Sequence, residues 1–299
     1  MTAFVRVATV NVNGIRASLA RGLGTWLDEC SADLVALQEV RCPAPLLPEL
    51  PGWHVVYDPG SRAGRNGVAL LSRVPPVAAR SSVTAAGGHP DFEAEFGSEG
   101  RYVEADYDIA GLPLTCASVY VTKGGLPVRE QRRYERKLRF LAGFRELLLT
   151  ARTSAADRGR EYLCLGDFNL AATIADHYHG EVKRPLEGYL PAEREWLGAL
   201  VAEGAGLVDV VRQLHPGQQG PYTWWSWRAG QFESDKGWRI DLHLASPGLA
   251  DRATAGGTDR PISSSARTSD HAPVVVDYAA DHSDRGTMGS TTTIDQGDA

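Results

Sequence analysis

The sequence predicts an α/β fold built as one domain. Short apolar runs and alternating stretches recur along the chain as strands, with amphipathic segments between them. No shift in composition marks a second folded unit. At 299 residues the chain is long for one domain, yet large sandwich folds reach this size as a single unit.

The elements follow in order. Residues 3–12 alternate around Val5, Val7 and Thr9, which predicts a strand. Leu19, Leu23, Trp26, Leu27 and Cys30 recur at spacings of 4, 3, 1 and 3, which predicts an amphipathic helix over 16–30. The run DLVALQE predicts a short strand ending at Gln38 and Glu39. Further strands are expected at 53–57, 67–72, 101–108, 114–121, 161–166, 239–245 and 272–278. Helices are expected at about 127–151 and 191–204, and Gly/Pro/Ser-rich loops at 84–100 and 247–269. From about 280 the chain is polar and small, which predicts a folded unit over 1–279 and a disordered tail over 280–299.

Composition excludes some functions. No run of about 18 apolar residues exists, so no transmembrane helix is expected. The first residues lack the charged and apolar regions of a signal peptide. Cys30, Cys42, Cys116 and Cys164 are scattered with no C-x-x-C, which favours reduced thiols in a cytoplasmic protein over a disulfide framework or zinc site. The net charge is -6, half of it in the tail. A chain that held nucleic acid mainly by neutralising phosphates would be basic, so any such surface must be local.

The polar residues fall in a pattern. Asn11 and Asn13 end the first strand, Gln38 and Glu39 the second, and Asp167 and Asn169 follow the break at Gly166. Asp241 sits on another strand, and Asp270-His271 opens the last. Alone, the Asp270-His271 pair reads as a solvated strand end, because adjacent strand residues point to opposite faces. Five such ends together suggest one rim and one ligand site. Hard oxygen donors suit Mg²⁺, with Mn²⁺ as the alternative, whereas zinc would want more His or Cys. A metal with an Asp and a His is a recurring set for phosphoryl transfer. YTWWSWR adds aromatics, of which Trp225 and Trp227 read as core, while Trp224 and Trp238 read as walls of a pocket.

With these residues assembled, the chain resembles the exonuclease III family of abasic-site (AP) endonucleases, within the endonuclease/exonuclease/phosphatase superfamily. The resemblance covers about residues 4–278. It rests on the ordered motifs NVNGIRA, LVALQEVRCP, GVALLSR, EGRYVEADY, SVYV, LGDFNLA, LPAEREWL, GLVDVVR, YTWWSWR, GWRIDLHLAS and SDHAPVVVDY. It implies a four-layer αββα sandwich of two packed mixed sheets flanked by helices. By resemblance Glu39 is the principal metal ligand, with Asn13 and Asp270 nearby, and Asn11 supports the site. Asp167 aligns or deprotonates the attacking water, Asn169 positions it, and Tyr120 contacts the scissile phosphate. His271, paired with Asp241, binds a phosphate oxygen, and Trp224, Trp238 and Ile240 wall the pocket for a flipped-out abasic sugar. Asp270 is then expected to face the metal and Glu39, and His271 the phosphate and Asp241.

Two stretches depart from the family. Thr122 and Lys123 stand after Tyr120 where Pro and Asn or Gln are usual, and Lys123 could meet a phosphate. The segment around His177 and His179 matches loosely, and both histidines read as surface residues. Arg16, Arg41, Arg65, Lys183, Arg184, Arg228 and Lys236, with Lys123, lie in or near matched loops as candidate DNA-backbone contacts. The expected activity is Mg²⁺-dependent incision of duplex DNA 5′ of abasic sites, with 3′→5′ exonuclease and 3′-end cleaning, by a monomer without membrane contact. The rivals are a superfamily phosphodiesterase or phosphatase for RNA, lipid or inositol phosphate, and a DNA-binding homologue without catalysis.

Overall fold

The computed structural model describes residues 3–81, 86–182 and 184–280, so Lys183 and the expected tail beyond 280 lie outside the described residues. Two six-stranded mixed sheets pack face to face and helices cover their outer faces. The first sheet holds β1 (Phe4–Asn11), β2 (Leu34–Gln38), β3 (His54–Asp58), β4 (Val68–Ser72), β11 (Ala253–Thr258) and β12 (Val274–Ala279), in the order β11-β12-β1-β2-β4-β3. The second holds β5 (Ala78–Arg80), β6 (Tyr102–Ile109), β7 (Leu112–Tyr120), β8 (Glu161–Asp167), β9 (Val208–Asp209) and β10 (Asp241–Ala245), in the order β5-β6-β7-β8-β10-β9.

Strand alternation divides the side chains between layers. Val5, Val7, Leu34 and Ala36 of the first sheet meet Val103, Ala105, Leu163 and Leu165 of the second in the central core. Ala8, Val10, Val35 and Leu37 point the other way, onto α1 (Ile15–Ala20) and α2 (Leu23–Glu29). The outer face of the second sheet is covered by α3 (Pro90–Phe96), α4 (Pro127–Asp157) and α5 (Pro191–Val201). In α4, Phe140, Leu141, Phe144, Leu147, Leu148 and Ala151 form one buried stripe. Each buried Phe or Leu of the stripe stabilises the fold by about 1.5–3 kcal/mol relative to exposure.

The strand pairing decides where the polar ends go. Each sheet has one parallel pair, β1 with β2 and β7 with β8. The carboxyl ends of these four strands share a rim. Their antiparallel neighbours β12 and β10 begin at that rim. All five polar ends seen in the sequence therefore converge there.

Several expectations change. The helix expected over 16–30 is two helices, because Gly22 takes a left-handed φ of 101° between them. The expected loop at 84–100 contains α3, whose start is fixed by Pro90 in the first turn. The expected loop at 247–269 contains α7 (Pro247–Ala250) and the glycine-rich edge strand β11. Residues 210–214 form α6, capped by Asp209. The four thiols are unpaired. No helix among the described residues is long and apolar enough to cross a membrane.

Candidate active site

Asn11 joins the two sheets. Its side-chain amide donates one hydrogen to Glu39 Oε1 at 2.8 Å and the other to Asp167 Oδ2 at 2.9 Å. Glu39 follows β2 of the first sheet and Asp167 ends β8 of the second. Asn11 Oδ1 accepts from the Asn13 backbone at 3.0 Å, and the Asn13 amide donates to Asp270 Oδ1 at 2.7 Å. Trp224 Nε1 donates to Asp270 Oδ2 at 3.1 Å.

Backbone geometry aims these groups inward. Asn13, Glu39 and Asn169 hold φ values of 47°, 49° and 49° at three strand ends. Such left-handed residues are uncommon outside glycine and cluster where function over-determines the backbone. Before Asp167, Gly166 has φ 142° and lies so close to β7 that an added Cβ would stand 2.2 Å from Val119 O.

Asp167 pairs in register with Asp241 on one side and Tyr120 on the other. The Asn169 N–H donates to Asp167 Oδ1 at 2.8 Å, and the Asn169 amide donates to Val121 O at 2.9 Å and Asp167 Oδ2 at 3.3 Å. His271 Nδ1 lies 2.8 Å from Asp241 Oδ2, and its Nε2 lies 3.9 Å from Asp167 Oδ2. Thr223 Oγ1 donates to the same Asp241 oxygen at 2.6 Å. The neighbours Asp270 and His271 thus face opposite ways, one to Asn13 and Trp224, the other to Asp241 and Asp167.

The charges follow from this packing. Burial alone would lower the His271 pKa, but the Asp241 charge and hydrogen bond, with Asp167 and Asp270, carry it up to about 9. Burial, seconded by the Asp241 and Glu39 charges, raises Asp167 to about 7 against the opposing pull of His271 and Lys123. Burial works to raise Glu39, yet the Asn11 hydrogen bond and the Arg41 and His271 charges hold it below the usual range. Asp270 is likewise held low against burial by His271 and by its bonds from Trp224 and Asn13. Burial, with Glu39 and Asp167 nearby, keeps Tyr120 a neutral phenol well above the usual range.

These groups fit a hard divalent cation. Ligand atoms of Glu39, Asp167 and His271 lie within 4.8 Å of one another. A protonated imidazole is donor-only, so the oxygens of the carboxylates are the usable ligands. Glu39 is kept ionised, the state a cation requires. Asp270 is ionised too, but it lies outside that three-residue cluster, with its two oxygens accepting from Asn13 and Trp224.

Beside this cluster opens a pocket of about 250 Å³ lined by Lys123, Asn169, Glu187, Gly188, Trp224, Trp238 and Ile240. The three walls expected from the sequence meet in it. Glu187 and Gly188 were not foreseen, because their segment follows no strand or helix pattern. Glu187 Oε1 accepts from the Gly125 backbone at 2.7 Å and so ties the Lys123 loop to the pocket.

Two expectations are corrected. His177 is buried, its ring 4.2 Å from that of Tyr189 and 5.1 Å from that of Trp238, because its segment pairs with the chain at Trp238. His179 stays partly exposed. Trp227 is 50% exposed while Trp225 is core, because strand alternation does not persist through this irregular segment. The Trp227 ring instead carries the Arg267 guanidinium at 4.3 Å and that of Arg21 at 5.6 Å. Arg41, a candidate backbone contact, pairs with Glu39. Arg16, Arg65, Lys123, Arg184, Arg228 and Lys236 are exposed.

Comparison with known proteins gives consistent matches. Residues 8–271 match the model of the Endonuclease/Exonuclease/phosphatase family. The exodeoxyribonuclease of Bacillus subtilis (strain 168) is 28% identical over 90% of this chain and 98% of its own length. Recombination repair protein 1 of Drosophila melanogaster is 28% identical over 91% of this chain, which spans only 37% of that protein. An AP endonuclease from Archaeoglobus fulgidus superposes with a TM-score of 0.75 at 28% identity, covering 92% of this chain and 99% of that one. The 3′ phosphatase NExo from Neisseria, bound to a product DNA hairpin, gives 0.74 at 27% identity, with coverage of 92% and 99%.

Proposed function

Because the chain belongs to the endonuclease/exonuclease/phosphatase family and is an exonuclease III/AP-endonuclease-like phosphodiester hydrolase, we propose that it incises duplex DNA 5′ of abasic sites and leaves a 3′-hydroxyl. The observation that carries this reading is the contact between two features. A charged His271–Asp241 pair and a buried Asp167 stand beside a tryptophan-walled pocket that suits a base-free sugar.

Glu39 and Asp270, with Asn13, would hold Mg²⁺ or Mn²⁺, which supplies charge neutralisation at the phosphate when bound. Asp167, raised toward neutrality, accepts the proton of the attacking water. Asn169 fixes that carboxylate by two hydrogen bonds. His271 donates to a phosphate oxygen while Asp241 holds its ring and its charge. The neutral Tyr120 hydroxyl contacts the same phosphate. Trp224, Trp238 and Ile240 enclose the sugar, whose extrusion costs little because no base must be unpaired.

Lys123 in the pocket lining favours a second activity at the same site. An exposed ammonium there suits terminal 3′ phosphates, so 3′-end cleaning accompanies incision. The deciding assay uses a labelled duplex with one tetrahydrofuran abasic analogue, in Mg²⁺ and in EDTA, beside an undamaged duplex. A Mg²⁺-dependent cut 5′ of the analogue with an extendable end supports incision. Trimming of both duplexes without that cut replaces it with exonuclease action. No cleavage, with turnover of an RNA, lipid or inositol phosphate, refutes the DNA reading.

A further inference from the structure

Lys137 of α4 and Glu193 of α5 have fully buried side chains, with Nζ and Oε1 2.7 Å apart. Taking two charges out of water costs solvation that their attraction seldom fully returns, and apolar residues of similar volume often stabilise as well or better. Stability alone is therefore a weak reason for this pair.

Its other contacts supply a stronger one. Lys137 Nζ donates to the backbone carbonyl of Asn169 at 3.2 Å. Asn169 stands in the left-handed region with φ 49° and supplies two of the hydrogen bonds that hold Asp167, the third coming from Asn11. At the far end of the pair, Glu193 Oε2 accepts from the Leu190 N–H at 2.8 Å. Leu190 lies two residues beyond Gly188, which lines the pocket and whose carbonyl accepts from Ala171 at 2.8 Å. The lysine stem is fixed in turn, since a Cβ at Gly124 would stand 2.6 Å from Lys137 Cδ.

We propose that the Lys137–Glu193 ion pair is a positioning strut that sets the Asp167–Asn169 turn against the pocket wall at Gly188. Neither residue lines the pocket, so both act through Asn169. This deepens the activity proposed above and rests on it.

The Lys137→Met/Glu193→Leu double variant removes both charges together and keeps the volume. It is expected to fold with little change in Tm, to keep KM on the abasic duplex, and to lose about tenfold or more in kcat, as small misplacements of reacting groups do. Unchanged kcat in the folded variant overturns the proposal. Glu193→Asp provides a second reading, because it keeps both charges and shortens the strut by one methylene. Assayed well below its Tm, it loses kcat at constant KM, and retention of kcat overturns the proposal. Amide hydrogen exchange separates this from the activity itself. In both variants the Asn169 amide is expected to exchange about tenfold faster or more while Leu165 in β8 is unchanged. An Asn169 amide that keeps its wild-type rate overturns the strut. If wild-type protein leaves abasic DNA intact, the activity fails while the exchange comparison still decides the strut.

Discussion

His271 Nδ1 lies 2.8 Å from Asp241 Oδ2, with both side chains buried and Thr223 donating to the same oxygen. The pair fixes the proton on the imidazole at neutral pH. Raised to about 9, His271 contributes stability that is fully present below its ordinary value and lost as pH rises through about 9. Activity that needs the imidazolium should decline along the same alkaline limb. Asp241→Asn is expected to move that limb toward the ordinary histidine range and to lower kcat at pH 8 by roughly 10²–10⁴-fold. A pH–rate profile with an NMR titration of His271 tests this, and an unmoved limb counts against the assignment.

Asp167 carries the opposite sign. Its folded pKa of about 7 lies above the ordinary value, so its ionised form costs stability at neutral and alkaline pH. Asp167→Asn should abolish most turnover yet raise the Tm of the metal-free protein at pH 8 by a few degrees, roughly 2–4 °C per kcal/mol gained. The gain should close as pH falls toward 4. Thermal melts across that range decide it, and a constant difference would contradict the origin given for the shift.

Trp224 does two things at once. Its ring walls the pocket and its Nε1 donates to Asp270. Trp224→Phe keeps an aromatic wall and removes the donor. Calorimetric titration with Mn²⁺ should show affinity weakened about 10-fold, at the low end for loss of a partner that orients a ligand. Equal affinity would remove Asp270 from the ligand set.

Gly166 leaves no room for a side chain. Gly166→Ala places a Cβ 2.2 Å from Val119 O on the neighbouring strand. Backbone cannot yield there as a flexible side chain could, so destabilisation above about 4 kcal/mol is expected. Denaturant unfolding measures it, and a loss under about 1 kcal/mol would show that β7 and β8 shift apart easily.

Much of the site was legible because strand periodicity is local. Asp270 and His271 precede β12, and being neighbours in the chain they face opposite ways, as the sequence predicts. The placement of His177 was not legible, since it depends on pairing with Trp238 some sixty residues away. Trp227 misled because the alternation ends at Trp225. Lys137 was legible in principle. It falls three and four residues before Phe140 and Leu141, on the buried stripe of α4, where a charge should prompt a search for its partner.

The amide of Asn11 spends its two hydrogens on one carboxylate from each sheet. Neither sheet alone can assemble the centre, so hydrolytic competence arises only once both halves have docked. A newly made or half-unfolded chain would lack the assembled centre. One asparagine thus makes cleavage a report on completed folding.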